Sequence, residues 1–289
     1  VWFHGSTPAL FKKWIGAVLI LLMSFERRCN LLSPKEVAVS LYPERIICLT
    51  EETTETLYLL GEQERIIGIS GFTYRPPQAR KEKPKVSAFI EADIPKIEAL
   101  NPDLILAFSD IQADITRELV KRGHTVMTFN QRSLDEIFRA IVTTGAFVGR
   151  AQEALALVEG YQERLNKIRT QTQKYPKRLK VYFEEWPDPM ISTIRWVSEL
   201  IEIAGGEDIF KELREAGLAQ GRIIQPIEVV KRSPDIIIGS WCGKKVKKQE
   251  ILEREGWSAI PAIQNNEVHE INSTLILQPG PAALTDGLD

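Results

Sequence analysis

The chain has 289 residues, 44% of them hydrophobic and 26% charged, which is enough core for one large or two medium domains. A formal net charge of −2 supplies no basic field to attract nucleic acid or an anionic membrane. Three scattered cysteines, Cys29, Cys48 and Cys242, form no CxxC pair and exclude a zinc ribbon, a thioredoxin site and a disulfide framework.

The N-terminal segment stands apart from the rest. Lys12 and Lys13 precede an apolar run of twelve residues, Trp14 to Phe25, too short to span a bilayer comfortably but with the length and basic flank of a signal-peptide core. The following ERRCN lacks the small residues of a cleavage site or of a lipoprotein signal. Flanks and length favour an export or anchor signal over a misassigned gene start, placing the protein in the periplasm or tethered to the outer face of the cytoplasmic membrane, and residues 1–43 are expected to lie outside the fold.

From Pro43 strands and helices alternate. RIICLT (45–50), RIIGIS (65–70), DLILAF (103–108) and TVMTF (125–129) read as strands. TTETLYLLG (53–61), IPKIEALNP (94–102) and DITRELVKRG (114–123) read as helices, and 71–84 as a loop rich in proline and charge. Ser133 caps the helix that follows, with Glu136 at the capping-box position. Apolar strands joined by helices predict a parallel sheet covered on both faces. Residues 150–174 are rich in helix formers and lack proline, predicting one long helix with a broad apolar face through Leu155, Leu157, Val158, Tyr161, Leu165 and Ile168. The alternation then restarts: strand 178–185, helix 197–206, short helix 226–234, and strands 235–240 and 268–272. The expected architecture is α/β, with two doubly wound Rossmann-like lobes (44–149 and 176–289) joined by a helix over 150–175. The C-terminal lobe looks short of its last helix.

Well-marked enzyme classes are missing from this pattern. There is no P-loop, no GxGxxG, no GxSxG and no HExxH. His4, His124 and His269 stand alone, so a metal site built on several imidazoles is not expected, and His124 and His269 read as structural. Glu184 and Glu185, adjacent on a strand, point to opposite faces and make a poor acid pair; solvated or N–H-bonded carboxylates at a strand end are the simpler reading. Cys48, within an apolar strand, reads as a small core residue.

Strand exits carry an aromatic load in both halves: Phe72 and Tyr74, Phe89, Phe108, then Trp186, Trp196 and Trp241. Ligands bind at the carboxyl ends of strands in open α/β sheets, and aromatic rings there provide large rigid contact at low entropy cost. Trp196 divides evenly between core and pocket. Pro187 and Pro189 are expected to end the strand and present Trp186 toward Phe72, Phe89 and Phe108 of the other lobe.

The stretches RIICLTEETTETLYLLG, GISGFTYRPPQA, KVSAFIEADIPKIEALNPDLILA, VYFEEWPDPMISTIRWVSELIEIAGGEDIF, SWCGKK and INSTLILQPGPAAL together resemble the periplasmic cobalamin-binding family, ABC-transporter substrate-binding proteins with a rigid helical backbone. The resemblance covers nearly the whole chain from Pro43. It implies a class III periplasmic-binding-protein architecture, no catalysis and no cofactor. A corrinoid would lie between the lobes as cargo, and a permease dimer would receive it from a receptor that is monomeric when free. By position, Phe72 matches a family tyrosine, Phe89 and Phe108 match tryptophans of the corrin pocket, and Trp186 and Trp241 fall in the corresponding C-lobe loops. The implied binding set is completed by Tyr74, Trp196, Gln278 and the turn holding Thr50, Glu51 and Glu52, whose helix N–H groups suit an acceptor oxygen. The chain departs from the family where a docking glutamate is expected in each lobe: Pro95 stands at one position, with Glu91 and Asp93 nearby, and Ile194-Arg195 at the other, with Glu199 downstream. A ferric-siderophore or haem receptor of the same fold remains open, with Arg75, Arg195 and Arg222 as candidate anion contacts. So do a cytoplasmic α/β enzyme and a tethered scaffold module.

Overall fold

The structure, a computed structural model, describes residues 40–289. The expectation of an N-terminal signal or anchor therefore lies outside the described residues, apart from 40–43 at its end. Residues Tyr42–Asp289 form one compact unit with two separate sheets.

The first sheet has six strands in the order β4-β3-β2-β1-β5-β6: β1 (Ile46–Cys48), β2 (Ile66–Ser70), β3 (Lys85–Ala88), β4 (Glu91–Ala92), β5 (Leu104–Phe108) and β6 (Val126–Phe129). All neighbours run parallel except β3 and β4. Every residue of β1 and of β5 is buried, because helices cover both faces of this sheet. The hairpin β3–β4 was not apparent in the sequence: KVSAFIEA is too short and too mixed to alternate visibly. Its tip is Phe89-Ile90.

The second sheet runs β11-β10-β7-β8, with β9 also paired to β7. Its strands are β7 (Lys180–Pro187), β8 (Met190–Ser192), β9 (Glu207–Asp208), β10 (Ile236–Gly239) and β11 (Val268–Glu270). Here the reading of VYFEEWPDPM needs correcting. The strand does not stop at Glu185 but runs through Pro187, then doubles back as the antiparallel β8 with Pro187 opposite Met190. Proline is tolerated there because it closes the hairpin, where no ladder donor is required.

The connecting helices form close to where the sequence places them, including Glu51–Leu59, Ala113–Lys121 and Arg195–Ile203. The helix Leu134–Phe147 carries the expected capping box: Glu136 N–H donates to Ser133 Oγ at 3.3 Å and Ser133 N–H donates to Glu136 Oε2 at 3.0 Å. The long helix spans Ala151–Thr172. Gly145 lets its first turn approach the preceding helix, since a Cβ at that position would collide with Ala154. Val158, Tyr161 and Leu165 enter one hydrophobic core that also takes in Ile137, Phe138 and Ile141 from the first lobe and Phe183, Trp196 and Leu200 from the second. The two lobes thus share a core through the helix.

Candidate functional site

A cavity of about 890 Å³ opens at the carboxyl ends of strands from both sheets, near the top of the roughly 300–1,000 Å³ range of small-molecule pockets. The exits of β2 and β3 supply Phe72, Tyr74, Phe89 and Ile90. Across from them, the exits of β10 and β11 supply Lys244, Lys245, Glu270, Asn272, Ser273 and, further on, Gln278. One wall is apolar and aromatic; the other is polar. Phe72, Tyr74 and Ile90 remain 41%, 46% and 66% exposed, an unusual cost for large apolar side chains unless something covers them.

Local bonds fix the aromatic wall. Arg80 donates to the carbonyls of Gly71 and Thr73 at 2.6 and 3.0 Å, and its guanidinium lies 4.6 Å from the centre of the Tyr74 ring. Gln112, fully buried, accepts from Phe108 N–H at 2.9 Å and donates to the carbonyls of Phe89 and Leu49 at 3.0 and 3.2 Å. One amide thereby ties the β3–β4 tip to the ends of β1 and β5. On the polar wall, Glu270 accepts from Val246 N–H at 2.9 Å and Ser273 Oγ accepts from Gly243 N–H at 3.2 Å. Sequence reasoning missed Lys244, Glu270, Asn272, Ser273 and Gln112. They are polar residues in irregular segments, and only the signal that they follow apolar strands could have pointed to the first four.

Of the residues proposed from sequence, Phe72, Tyr74, Phe89 and Gln278 line this cavity. The others sit elsewhere. Phe108 is buried in the first lobe's core, with Arg132 stacked 5.3 Å from its ring centre. Trp196 is buried in the shared core and donates to Ile276 O at 2.9 Å; the structure places it in the core. Trp241 is buried and donates to Glu184 Oε1 at 3.1 Å. Trp186, expected to face Phe72, Phe89 and Phe108, is not among the residues that line the cavity. Lying within β7, it packs half-buried on its own lobe's core and donates to Asp188 O at 2.9 Å. It still reaches the cavity indirectly, because Lys244 Nζ sits 4.3 Å from its ring centre.

Glu184 and Glu185 diverge as expected, but Glu184 is not solvated. It is fully buried, paired with Arg254 at 2.7 Å and bonded by the Tyr182 hydroxyl at 3.0 Å, whereas Glu185 pairs with Arg222 at 2.5 Å. Each acid neutralises its own guanidinium, that of Arg222 buried and that of Arg254 partly buried, an arrangement that removing one partner would disrupt strongly. Cys48 is buried and its thiol is pushed up to about 12 by desolvation, as befits a core residue.

Thr50, Glu51 and Glu52 are also buried, and the turn is filled by the chain's own groups. Thr50 Oγ1 donates to Glu52 Oε1 at 2.7 Å, Tyr74 N–H donates to Glu51 Oε2 at 2.9 Å, and Gly280 passes so close that a Cβ there would collide with Glu52. Burial, with the neighbouring carboxylates, pushes Glu51 up to about 8 and Glu52 up to about 7.

The family model described as periplasmic binding protein matches residues 46–275, most of the chain and both walls of the cavity. The chain belongs to the periplasmic binding protein family. An uncharacterized ABC transporter substrate-binding lipoprotein of Bacillus subtilis is 26% identical over 266 residues, covering 89% of this chain and 81% of that protein. A vitamin B12-binding protein of Vibrio cholerae is 28% identical over 261 residues, covering 88% of this chain and 90% of its own length. Among solved structures, the periplasmic vitamin B12-binding protein of Vibrio cholerae superposes with a TM-score of 0.67 at 24% identity, over 85% of this chain and 94% of that one. A periplasmic heme-binding protein of Roseiflexus does so with a TM-score of 0.72 at 22% identity, over 85% and 96%. These likenesses make the chain a substrate-binding protein of the ABC-importer type, with two α/β lobes of the class III arrangement.

Within this periplasmic binding protein, the cations considered as anion contacts are already engaged. Arg75 pairs with Glu55 and Asp286, Arg195 with Glu199 and Glu215, and Arg222 with Glu185. Of the acids near the expected docking positions, Glu91 lines the cavity, Asp93 caps the helix Ile94–Ala99, and Glu199 accepts from Leu134 N–H at 2.8 Å. No group of three His, Cys, Asp or Glu side chains is arranged to hold a metal ion among the described residues.

Proposed function

We propose that the chain is an exported receptor that captures cobalamin or a related corrinoid between its lobes and delivers it to an ABC permease dimer. The observation that carries the reading is the two-sided cavity, with a flat aromatic wall from the first lobe and a wall of amide, hydroxyl and ammonium groups from the second. A corrinoid is a broad macrocycle with apolar faces and a rim of amides, and it matches such a pair of walls. The cavity's charges are balanced, Lys244 and Lys245 against Glu91 and Glu270, which suits a cargo of little net charge. Relatives named as vitamin B12-binding proteins support the same choice. The lobes 44–149 and 176–289 would then close on the cargo about the linking helix, with the apolar run at 14–25 serving export or anchoring.

Calorimetric titration with cyanocobalamin tests the assignment. Saturating ligand should release or absorb measurable heat and stabilise the fold by RT ln(1 + [L]/Kd), raising the melting temperature; no heat and no shift would sink it.

The second reading is haem, favoured by the exposed Tyr74 phenol at the cavity and by Lys244 and Lys245, which suit propionates. Relatives of the same fold include heme-binding proteins. Absorbance of protein loaded with each compound separates the two: a haem complex shifted by Tyr74→Phe would favour the second reading. An anionic siderophore fits less well, since Arg75, Arg195 and Arg222 are each neutralised by a carboxylate.

A further inference from the structure

We propose that Glu55 is a positioning residue of the ligand cavity, tying its two walls together through one carboxylate; the proposal rests on the cavity being the ligand site. Glu55 is buried in the helix Glu51–Leu59 and is not among the residues that line the cavity. Its Oε1 accepts from Arg75 Nε at 2.8 Å and its Oε2 accepts from Ala282 N–H at 3.0 Å. Neither donor lines the cavity, but each adjoins a different wall. Arg75 directly follows Tyr74 of the aromatic wall. Ala282 lies on the strap that leaves the polar wall at Gln278 and crosses back onto the first lobe.

The surrounding groups hold the same crossing without replacing Glu55. Gln131 Nε2 donates to Pro279 O at 3.0 Å, fixing the start of the strap. Glu51 accepts from Tyr74 N–H and fixes only the aromatic loop. Arg75 also reaches Asp286 at 2.5 Å, but that aspartate is about half exposed, and surface pairs of this kind contribute little. Glu55 is the buried acceptor, and both of its bonds are of the stronger, charge-assisted type. A ligand gripped between Tyr74 and Gln278 experiences their separation, and Glu55 sets it. Without the carboxylate the loop 71–75 and the strap 278–286 drift independently and the ligand leaves faster.

Glu55→Gln tests this, because its amide must turn an NH2 toward one of the two donors. In the ligand-free protein, amide exchange of the segment 278–286 should quicken about tenfold while strand 104–108 is unchanged. Dissociation of bound cyanocobalamin should quicken about tenfold as well, since affinity changes at one site fall mainly on the off-rate. Combining it with Gln278→Ala should then add far less than the sum of the two single effects. A purely structural role predicts additive losses, and additive losses or unchanged exchange in 278–286 would overturn the proposal. If the native protein binds no cyanocobalamin, the corrinoid reading fails alone and the exchange experiment still decides. Should Glu55→Gln not fold, Glu55→Asp, which keeps the charge but is too short to hold Arg75 and Ala282 together, cuts the same tie, and the same freeing of 278–286 is required of it.

Discussion

Trp196 and Phe72 looked alike in the sequence, each an aromatic near a strand exit, but they do different work. Trp196 fills the shared core and satisfies a buried carbonyl, while Phe72 stands half open on the cavity wall. Trp196→Ala should therefore cost about 3–5 kcal/mol of stability, measured by urea unfolding. Phe72→Ala should leave the unfolding midpoint nearly unchanged and weaken cyanocobalamin by about 1–2 kcal/mol in titration. If the two effects were exchanged, the placement of the site would be wrong. The pair Glu184 and Glu185 teaches the same lesson. Alternation along a strand correctly separated them, but nothing local revealed that Arg254 and Arg222, 70 and 37 positions downstream, would pair with them.

At the scale of an element, the helix Glu51–Leu59 begins with buried acids beneath the strap at Gly280. Desolvation pushes Glu51 up to about 8 and Glu52 up to about 7, from 4.5, and raises Glu55 as well despite the opposing pull of Arg75. A carboxyl whose pKa rises on folding keeps its proton to higher pH in the folded chain. Between about pH 4.5 and 8 the folded state then binds more protons than the unfolded one, and stability falls as pH rises through that window. Thermal melts should accordingly show a higher midpoint near pH 6 than near pH 8. Glu51→Gln, which removes the ionisation but keeps an acceptor for Tyr74 N–H, should flatten that dependence. A midpoint that rises from pH 6 to 8 in the native protein would contradict the burial of these acids. Lowered carboxyls such as Glu62 and Glu136 act below this window, because their pKa values lie under the ordinary one.

For the whole molecule, the consequence of one core shared across both lobes is stiffness. Opening the cleft widely would pull Val158, Tyr161 and Leu165 of the long helix out of contact with one lobe. Burying such side chains is worth roughly 1.5–3 kcal/mol each, so large hinge motion is opposed. Small-angle scattering should show the radius of gyration changing by less than about 1 Å on saturation with ligand, the scale of preorganised binding. A larger compaction would mean that the helix is not the rigid element inferred here.

The sequence by itself determined the class of fold, the alternation in each half, the long helix and the capping box at Ser133. All of these depend on periodicity and on contacts within a few residues. It also located strand exits as the place to look, and Phe72, Tyr74 and Phe89 line the cavity found there, as does Gln278, which the family resemblance implied. Which aromatics face that cavity was decided only by tertiary structure. Whether a ring at a strand exit points to a cleft or a core depends on partners far along the chain, as Ile276 is for Trp196 and Glu184 for Trp241. The polar wall was hidden for the same reason: Lys244, Asn272 and Ser273 meet Phe72, far earlier in the chain, only when the two sheets turn their carboxyl ends toward one another.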